Sequence, residues 1–215
     1  MHLLLAGAVS IVALVPAAQS PTRAQLPKMV LPDAALEHVA GGLPQGFAFF
    51  STAEDAAAST FDPHDTGADL KRLGRVAGYV RGRNARGAFS PHAGRGLLAV
   101  GTSVILFRDA SAAGASIQRD IAAGKRFSGK AVEAGFLVSY TSSRVPSLGS
   151  RGALEHVHAR PTGGSDRFVT SVLFLVGQLR GNATVNRGDR TNADRVALDL
   201  AQQLRRRIVA TLRHG

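Results

Sequence analysis

The sequence has no cysteine and no tryptophan, and only two tyrosines and four lysines among its 215 residues. Without thiols there is no disulfide framework, no cysteine-ligated zinc site, no thiolate nucleophile and no lipid-anchoring cysteine. The scarcity of lysine means that the formal net charge of +11 rests almost wholly on 22 arginines. Basicity of this strength brings nucleic acid, anionic lipid and acidic partners into consideration. An arginine excess in a chain rich in alanine and glycine also arises from nucleotide bias. What the sequence does hold is a 45% apolar content, well above that of disordered chains. The length fits one domain better than two, and such a domain buries a sizeable core without staples.

Residues 3–18 form an uncharged apolar run ended by proline (LLLAGAVSIVALVPAA). It is shorter than the ~20 residues of a membrane span but suits the apolar region of a signal peptide. Thr22-Arg23-Ala24 places small residues at the −3 and −1 positions, so residues 1–24 are expected to be a signal peptide cleaved after Ala24. The start lacks the usual basic residues, which leaves an uncleaved anchor open. No later run is long enough to span a bilayer.

Two regimes follow. Residues 25–70 are acidic (net −6) and read as loop-like, with 25–42 expected as an N-terminal linker. Within them, Asp33 is expected to cap a brief helix stopped by Gly41-Gly42, and 47–51 to form a short strand. Residues 71–215 carry +16. Packing of the acidic segment on this basic body would neutralise part of it. Strands are expected at 75–83, 97–108, 132–140 and 153–160. A helix capped by Asp109 and closed by Gly124 follows the second of these. Residues 167–176 and 179–186 flank Gly177-Gln178, the pattern of a type II′ hairpin. Residues 192–212 carry one apolar stripe, Ala193, Val196, Ala197, Leu200, Ala201, Leu204 and Ile208, and read as a long amphipathic helix. A shared TSV beginning at Thr102 and Thr170 suggests two central strands in equivalent positions of one sheet.

The motifs that carry chemistry fail on context. Residues 124–130 (GKRFSGK) match the start of a phosphate-binding loop, but Ala131 replaces its Ser/Thr, and a helix precedes where a strand is required. Residues 94–99 (GRGLLA) match a dinucleotide pattern but precede a strand instead of following one. His156 and His158 share a strand face, and a metal site there needs a third ligand such as His64, His92 or Asp65; an exposed strand face is the plainer reading. A small secreted hydrolase using His64 or His156/His158 stands as the enzymatic alternative. Asn182-Ala183-Thr184 is formally a glycosylation sequon inside a predicted strand. Arg81, Arg83 and Arg86 place three guanidinium groups at a predicted loop or strand end, suited to gripping a phosphate or carboxylate. The run Arg205-Arg206-Arg207 suits the end of a helix dipole. Neither patch is paired with aromatic stacking residues or a recognisable module, which argues against nucleic acid.

Several features occur in a familiar order: an apolar leader, LPQGF opening a first strand, TSVILFRDA running into a helix, VPSLG, a VGQL hairpin and a last helix through LAQQLRRRI. This order resembles secreted PsbP-like α/β/α domains and, more loosely, the extracellular sensor domains of PknH-type kinases and LpqN-like surface lipoproteins. The similarity spans residues 43–212. The chain lacks the lipobox cysteine of the lipoproteins and the paired cysteines of the kinase sensors. The resemblance implies a non-catalytic accessory or binding domain and carries over no functional residue.

The expectation is therefore a signal peptide, a linker and a single α+β domain over residues 43–212. That domain is a twisted antiparallel sheet flanked by helices, a PsbP-like α/β/α sandwich. Its function is binding at the cell envelope, without a cofactor or metal. An anionic ligand or an envelope protein is the expected partner, with Arg81, Arg83 and Arg86 as the contact. A structural subunit of an envelope complex is the remaining alternative.

Overall fold

The structure is a computed structural model describing residues 20–88, 94–132, 135–191 and 193–214. The apolar leader at 3–18 and His92 lie outside the described residues. The remainder is an α+β fold: an open antiparallel sheet of eight strands with six helices. The strands are β1 (Gln45–Ser51), β2 (Arg75–Asn84), β3 (Leu97–Phe107), β4 (Lys130–Val132), β5 (Gly135–Arg144), β6 (Ala153–Pro161), β7 (Arg167–Val176) and β8 (Leu179–Arg187). The helices are α1 (Leu26–Met29), α2 (Asp33–Ala40), α3 (Ala53–Ala57), α4 (Gly67–Arg72), α5 (Ala110–Phe127) and α6 (Asp194–His214).

The strand order β1-β2-β3-β8-β7-β6-β5-β4 follows from one long connection. β1, β2 and β3 form a meander. Helix α5 then carries the chain across one face to the far edge, and the second meander returns until β8 pairs with β3. The two TSV strands, β3 and β7, thus flank β8 on either side. At the β7–β8 turn Gly177 has φ 58° and no described non-glycine residue has positive φ, as a type II′ turn requires.

Alternation along β3, β7 and β8 sends Val100, Val104, Leu106, Val172, Phe174, Leu179, Ala183 and Val185 to one face. There they meet the α6 stripe of Ala197, Leu200, Ala201, Leu204 and Ile208. Leu26, Met29, Val30, Leu31, Leu36 and Ala40 join the same core. Residues 25–42 are therefore not a linker. Their apolar side chains close the main core beside α6, and the prolines that suggested a loop set the bends between α1, α2 and β1.

Two short helices also replace expected loop. Thr52 and Thr66 each accept from the backbone N–H three residues on, while Asp55 and Asp69 bond back to the caps. Asp33 is the first residue of α2 and not its cap; Gly41 ends that helix with φ 54°. Asp109 caps α5 by accepting from the Ala112 N–H at 2.7 Å. That helix does not close at Gly124 but continues to Phe127. Its glycine serves a close approach, because an added Cβ would stand 2.5 Å from the Tyr140 ring.

Candidate functional site

The face of the sheet turned towards α5 is only partly covered. Helix α5 packs its Ala112, Ala113, Ile117 and Ile121 over Ile105, Leu173, Leu175 and Tyr140, forming smaller apolar clusters. Beside it a cleft of about 630 Å³ opens between the sheet and α3, α4 and α5. Phe49, Leu70, Leu73, Val80 and Ile105 give it apolar walls, and Arg75, Ser103, Arg180 and Asn182 bring polar groups into it.

Arg75 reaches this cleft because of an irregularity in β2. Arg75 pairs with Phe107 while Ala77 pairs with Leu106, so Val76 is an extra residue, bulged outward and 59% exposed. Without the bulge, period-two alternation would put Arg75 on the same face as Ala77 and Tyr79, against the main core. With it, the guanidinium lies across the opposite face over Gly78, where an added Cβ would stand 2.6 Å from Nη2. Arg75 is 9% exposed. Its Nη2 donates to Ser51 Oγ at 2.9 Å and to the Ser51 carbonyl at 3.4 Å, whereas Nε has no protein partner. Burial, together with the neighbouring Arg180 charge, lowers its pKa to about 10, so it stays charged at neutral pH.

Arg180 on β8 is also buried, but it is compensated. Its Nη2 meets Asp120 Oδ2 of α5 at 2.5 Å, and Nη1 donates to Ser116 Oγ at 3.4 Å. Deeper under α5, Glu155 of β6 accepts from the Tyr140 hydroxyl at 2.5 Å. Burial pushes the Glu155 carboxyl up, against the opposing pull of the Tyr140 hydrogen bond and the Arg180 charge. The Tyr140 hydroxyl is raised as well, first by burial and then by Glu155.

The cleft continues along the sheet into a second hollow of about 370 Å³, which shares Ser59, Val80, Ser103 and Asn182 with the first. It ends at Thr184 and Asn186. Ser171, Thr184 and Asn182 form a hydrogen-bonded row there, and Asn186 Oδ1 is buried without a protein partner. Polar residues thus floor the groove at the centre of the sheet, where an unlined core would be apolar.

The three arginines expected to form a contact do not lie in this groove. Arg81 and Arg83 belong to β2 and face the N-terminal helices. Arg81 Nη1 donates to the Leu31 carbonyl at 3.4 Å. Arg83 pairs with Asp33 at 2.6 Å and Glu37 at 3.8 Å, and donates from Nε to the Leu43 carbonyl at 3.0 Å. Its side chain is 12% exposed. Arg86, in the turn after β2, is exposed. Arg81 and Arg83 thus lie within the strand expected at 75–83, and Arg86 lies in the turn that follows it.

The histidines are separated too. His64 lies in an exposed turn, its backbone N–H donating to Asp62 Oδ1 at 3.0 Å. His156 Nε2 meets Asp194 Oδ1 at 2.5 Å, with Thr141 Oγ1 3.5 Å from Nδ1. This contact fastens β6 to the first turn of α6. His158 pairs with Asp166 at 3.0 Å and stacks on Phe168. Among the described residues no cluster of three His, Asp or Glu side chains is placed to hold a metal.

The sequence did not point to the residues that shape the groove as a site; Asn182 and Thr184 stood out only as a formal glycosylation sequon. In β8 the positions Arg180, Asn182, Thr184 and Asn186 alternate with apolar ones and so read as a solvent face. The available signal was the glycines inside strands, at 78, 82 and 101, which mark close backbone approach.

No family model matches the chain, and no curated protein matches it. Among solved structures, the chain is similar to the extracellular domain of PknH from Mycobacterium tuberculosis, at 13% sequence identity and a TM-score of 0.55. The alignment covers 93% of this chain and all of that one. At this identity the likeness is one of fold.

Proposed function

We propose that the chain is an exported, non-catalytic binding domain of the cell envelope that takes a small ligand into the groove between its sheet and α3, α4 and α5. The observation that carries this reading is the polar floor of Ser103, Asn182 and Thr184 in an open cleft at the centre of the sheet. A face meant only for packing would be apolar there, and one meant only for solvent would not be walled by helices. Export rests on the apolar leader at residues 3–18. The fold likeness to an extracellular domain of a kinase supports a sensor-type role. No helix among the described residues is long and apolar enough to cross a membrane, which fits a domain that works outside one. The hydrolase alternative gains no support from the groove, because His64, His156 and His158 do not line it.

The test is co-purification. Protein recovered from cells expressing the full chain is extracted, and bound small molecules are identified by mass spectrometry. The same extraction from Ser103→Trp, which fills the groove, is expected to lose the ligand. Retention of the same molecule by a folded Ser103→Trp protein would remove the groove as its site.

A further inference from the structure

Among the described residues, Arg75 is the groove-lining cation without an ion-pair partner, although the Asp120 and Asp55 charges attract it from a distance. Arg180 has Asp120, and Asp65 at the groove wall is paired with Arg119. Asp55 lies at the rim, exposed, with its carboxylate engaged by the Thr52 backbone and hydroxyl of its own helix cap. No ion pair to Arg75 occurs among the described residues, and its Nε has no protein partner although it is buried. A buried unpaired guanidinium is costly to keep. Here the backbone is built to keep it. The β2 bulge turns it from the main core into the groove, and Gly78 clears the space across which it lies.

Resting on the groove as the ligand site, we infer that Arg75 is an anion receptor, and that the ligand is a small amphiphilic anion, a carboxylate or phosphate ester with an apolar body. A planar guanidinium recognises either head group through paired N–H donors. The Nε of Arg180, also without a protein partner, is a second donor on the same lining. Phe49, Leu70, Leu73, Val80 and Ile105 supply the apolar wall for the body of the ligand. The groove then runs along β8 from Arg180 towards Asn186, six residues or roughly 20 Å at strand rise.

The test uses three probes sharing one chain length: decanoate, decyl phosphate and uncharged decanol. They are titrated calorimetrically into delipidated protein recovered from cells expressing the full chain. Saturable one-to-one binding is expected for at least one acid, with decanol at least tenfold weaker; the relative affinities of the two acids assign the head group. Arg75→Gln and Gly78→Val are each expected to weaken acid binding at least tenfold, Arg75→Lys less, and Arg86→Gln not at all. Arg75→Met separates this role from a structural one without any ligand. A receptor held against its own burial cost leaves unliganded Arg75→Met as stable as the parent or more so, and a clear loss of midpoint would mark Arg75 as structural. Equal binding of decanol and decanoate, unchanged acid binding by Arg75→Gln, or no saturable acid binding overturns the inference. If decanol binding persists in Arg75→Gln and disappears in Ser103→Trp, the anion receptor falls while the groove stands.

Discussion

Tyr140 and Glu155, diagonal neighbours on β5 and β6, share a 2.5 Å hydrogen bond beneath α5, with the phenol as donor. Glu155 is 5% exposed, and burial raises its pKa above the ordinary carboxylate value. Between the unfolded and the raised folded pKa, the native state holds a proton that the unfolded chain has released. The contribution to stability is therefore full below the unfolded value of about 4.5 and is lost as pH rises through the folded one. Glu155→Gln retains an acceptor for Tyr140 and removes the titration. Its urea midpoint should lie near that of the parent at pH 4 and rise relative to it by pH 8. Parallel midpoints across this range would show that Glu155 ionises in the folded protein as it does in the unfolded chain.

Gly124 sits inside α5 under the same tyrosine. Intrinsic helix propensity favours Gly→Ala in a helix interior by about 1 kcal/mol. The Tyr140 ring opposes it, because a Cβ would approach Cε2 to 2.5 Å, and an aromatic ring hydrogen-bonded to Glu155 has little room to withdraw. Overpacking of this kind costs about 1–3 kcal/mol. Gly124→Ala should therefore lower thermal stability, against its propensity. Gly124→Ala with Tyr140→Leu should recover part of the loss, and a stabilised single variant would contradict the packing.

Long periodic segments were legible in the sequence because one rule decides them. The α6 stripe, the dense apolar run of β3 and the Gly177 turn each need only local pattern, and each lies where that pattern puts it. Residues 25–42 were misread because their apolar side chains are interrupted by prolines, so no period runs through the segment although Leu26, Met29, Val30, Leu31, Leu36 and Ala40 are buried. The capping pairs Thr52/Asp55 and Thr66/Asp69 were present in the sequence, but the helices they begin are only five and six residues long. The groove was illegible for another reason. A bulge at Val76 changes which face Arg75 occupies, and nothing in the alternation of β2 announces a bulge before the partner strand is known.

The N-terminal residues carry a direct consequence. Leu26 is fully buried in the main core and α1 packs against α6. Truncating a buried leucine to alanine costs about 2–5 kcal/mol. Leu26→Ala should lower the unfolding free energy by an amount in that range, read from the shift in the chemical midpoint and comparable to Leu204→Ala in α6. A midpoint within error of the parent would mean that residues 25–42 are loosely attached. For the same reason, removing residues 25–70 to expose the basic body would unfold the protein instead of unmasking it.

Point substitutions test the charge relationship without that damage. Acids from residues 25–70 meet bases of the body at Asp33–Arg83, Glu37–Arg83, Asp62–Arg126, Asp65–Arg119 and Glu54–Lys71. The acidic segment thus lies against the basic one as counter-charge. At Arg83 both carboxylates are solvent-accessible, Asp33 being 56% exposed, but the guanidinium itself is only 12% exposed, so their loss should cost more than the ~1 kcal/mol of a surface pair. The effect on polyanions should be larger in kind, because neutralising two acids beside a fixed guanidinium turns a balanced site into a positive one. Asp33→Asn with Glu37→Gln should elute from a heparin column at higher salt than the parent. Adding Arg83→Gln should reverse most of that shift if the freed guanidinium is its cause. A shift that survives Arg83→Gln would instead reflect net charge alone, and the pairing would then be incidental to how the surface meets anions.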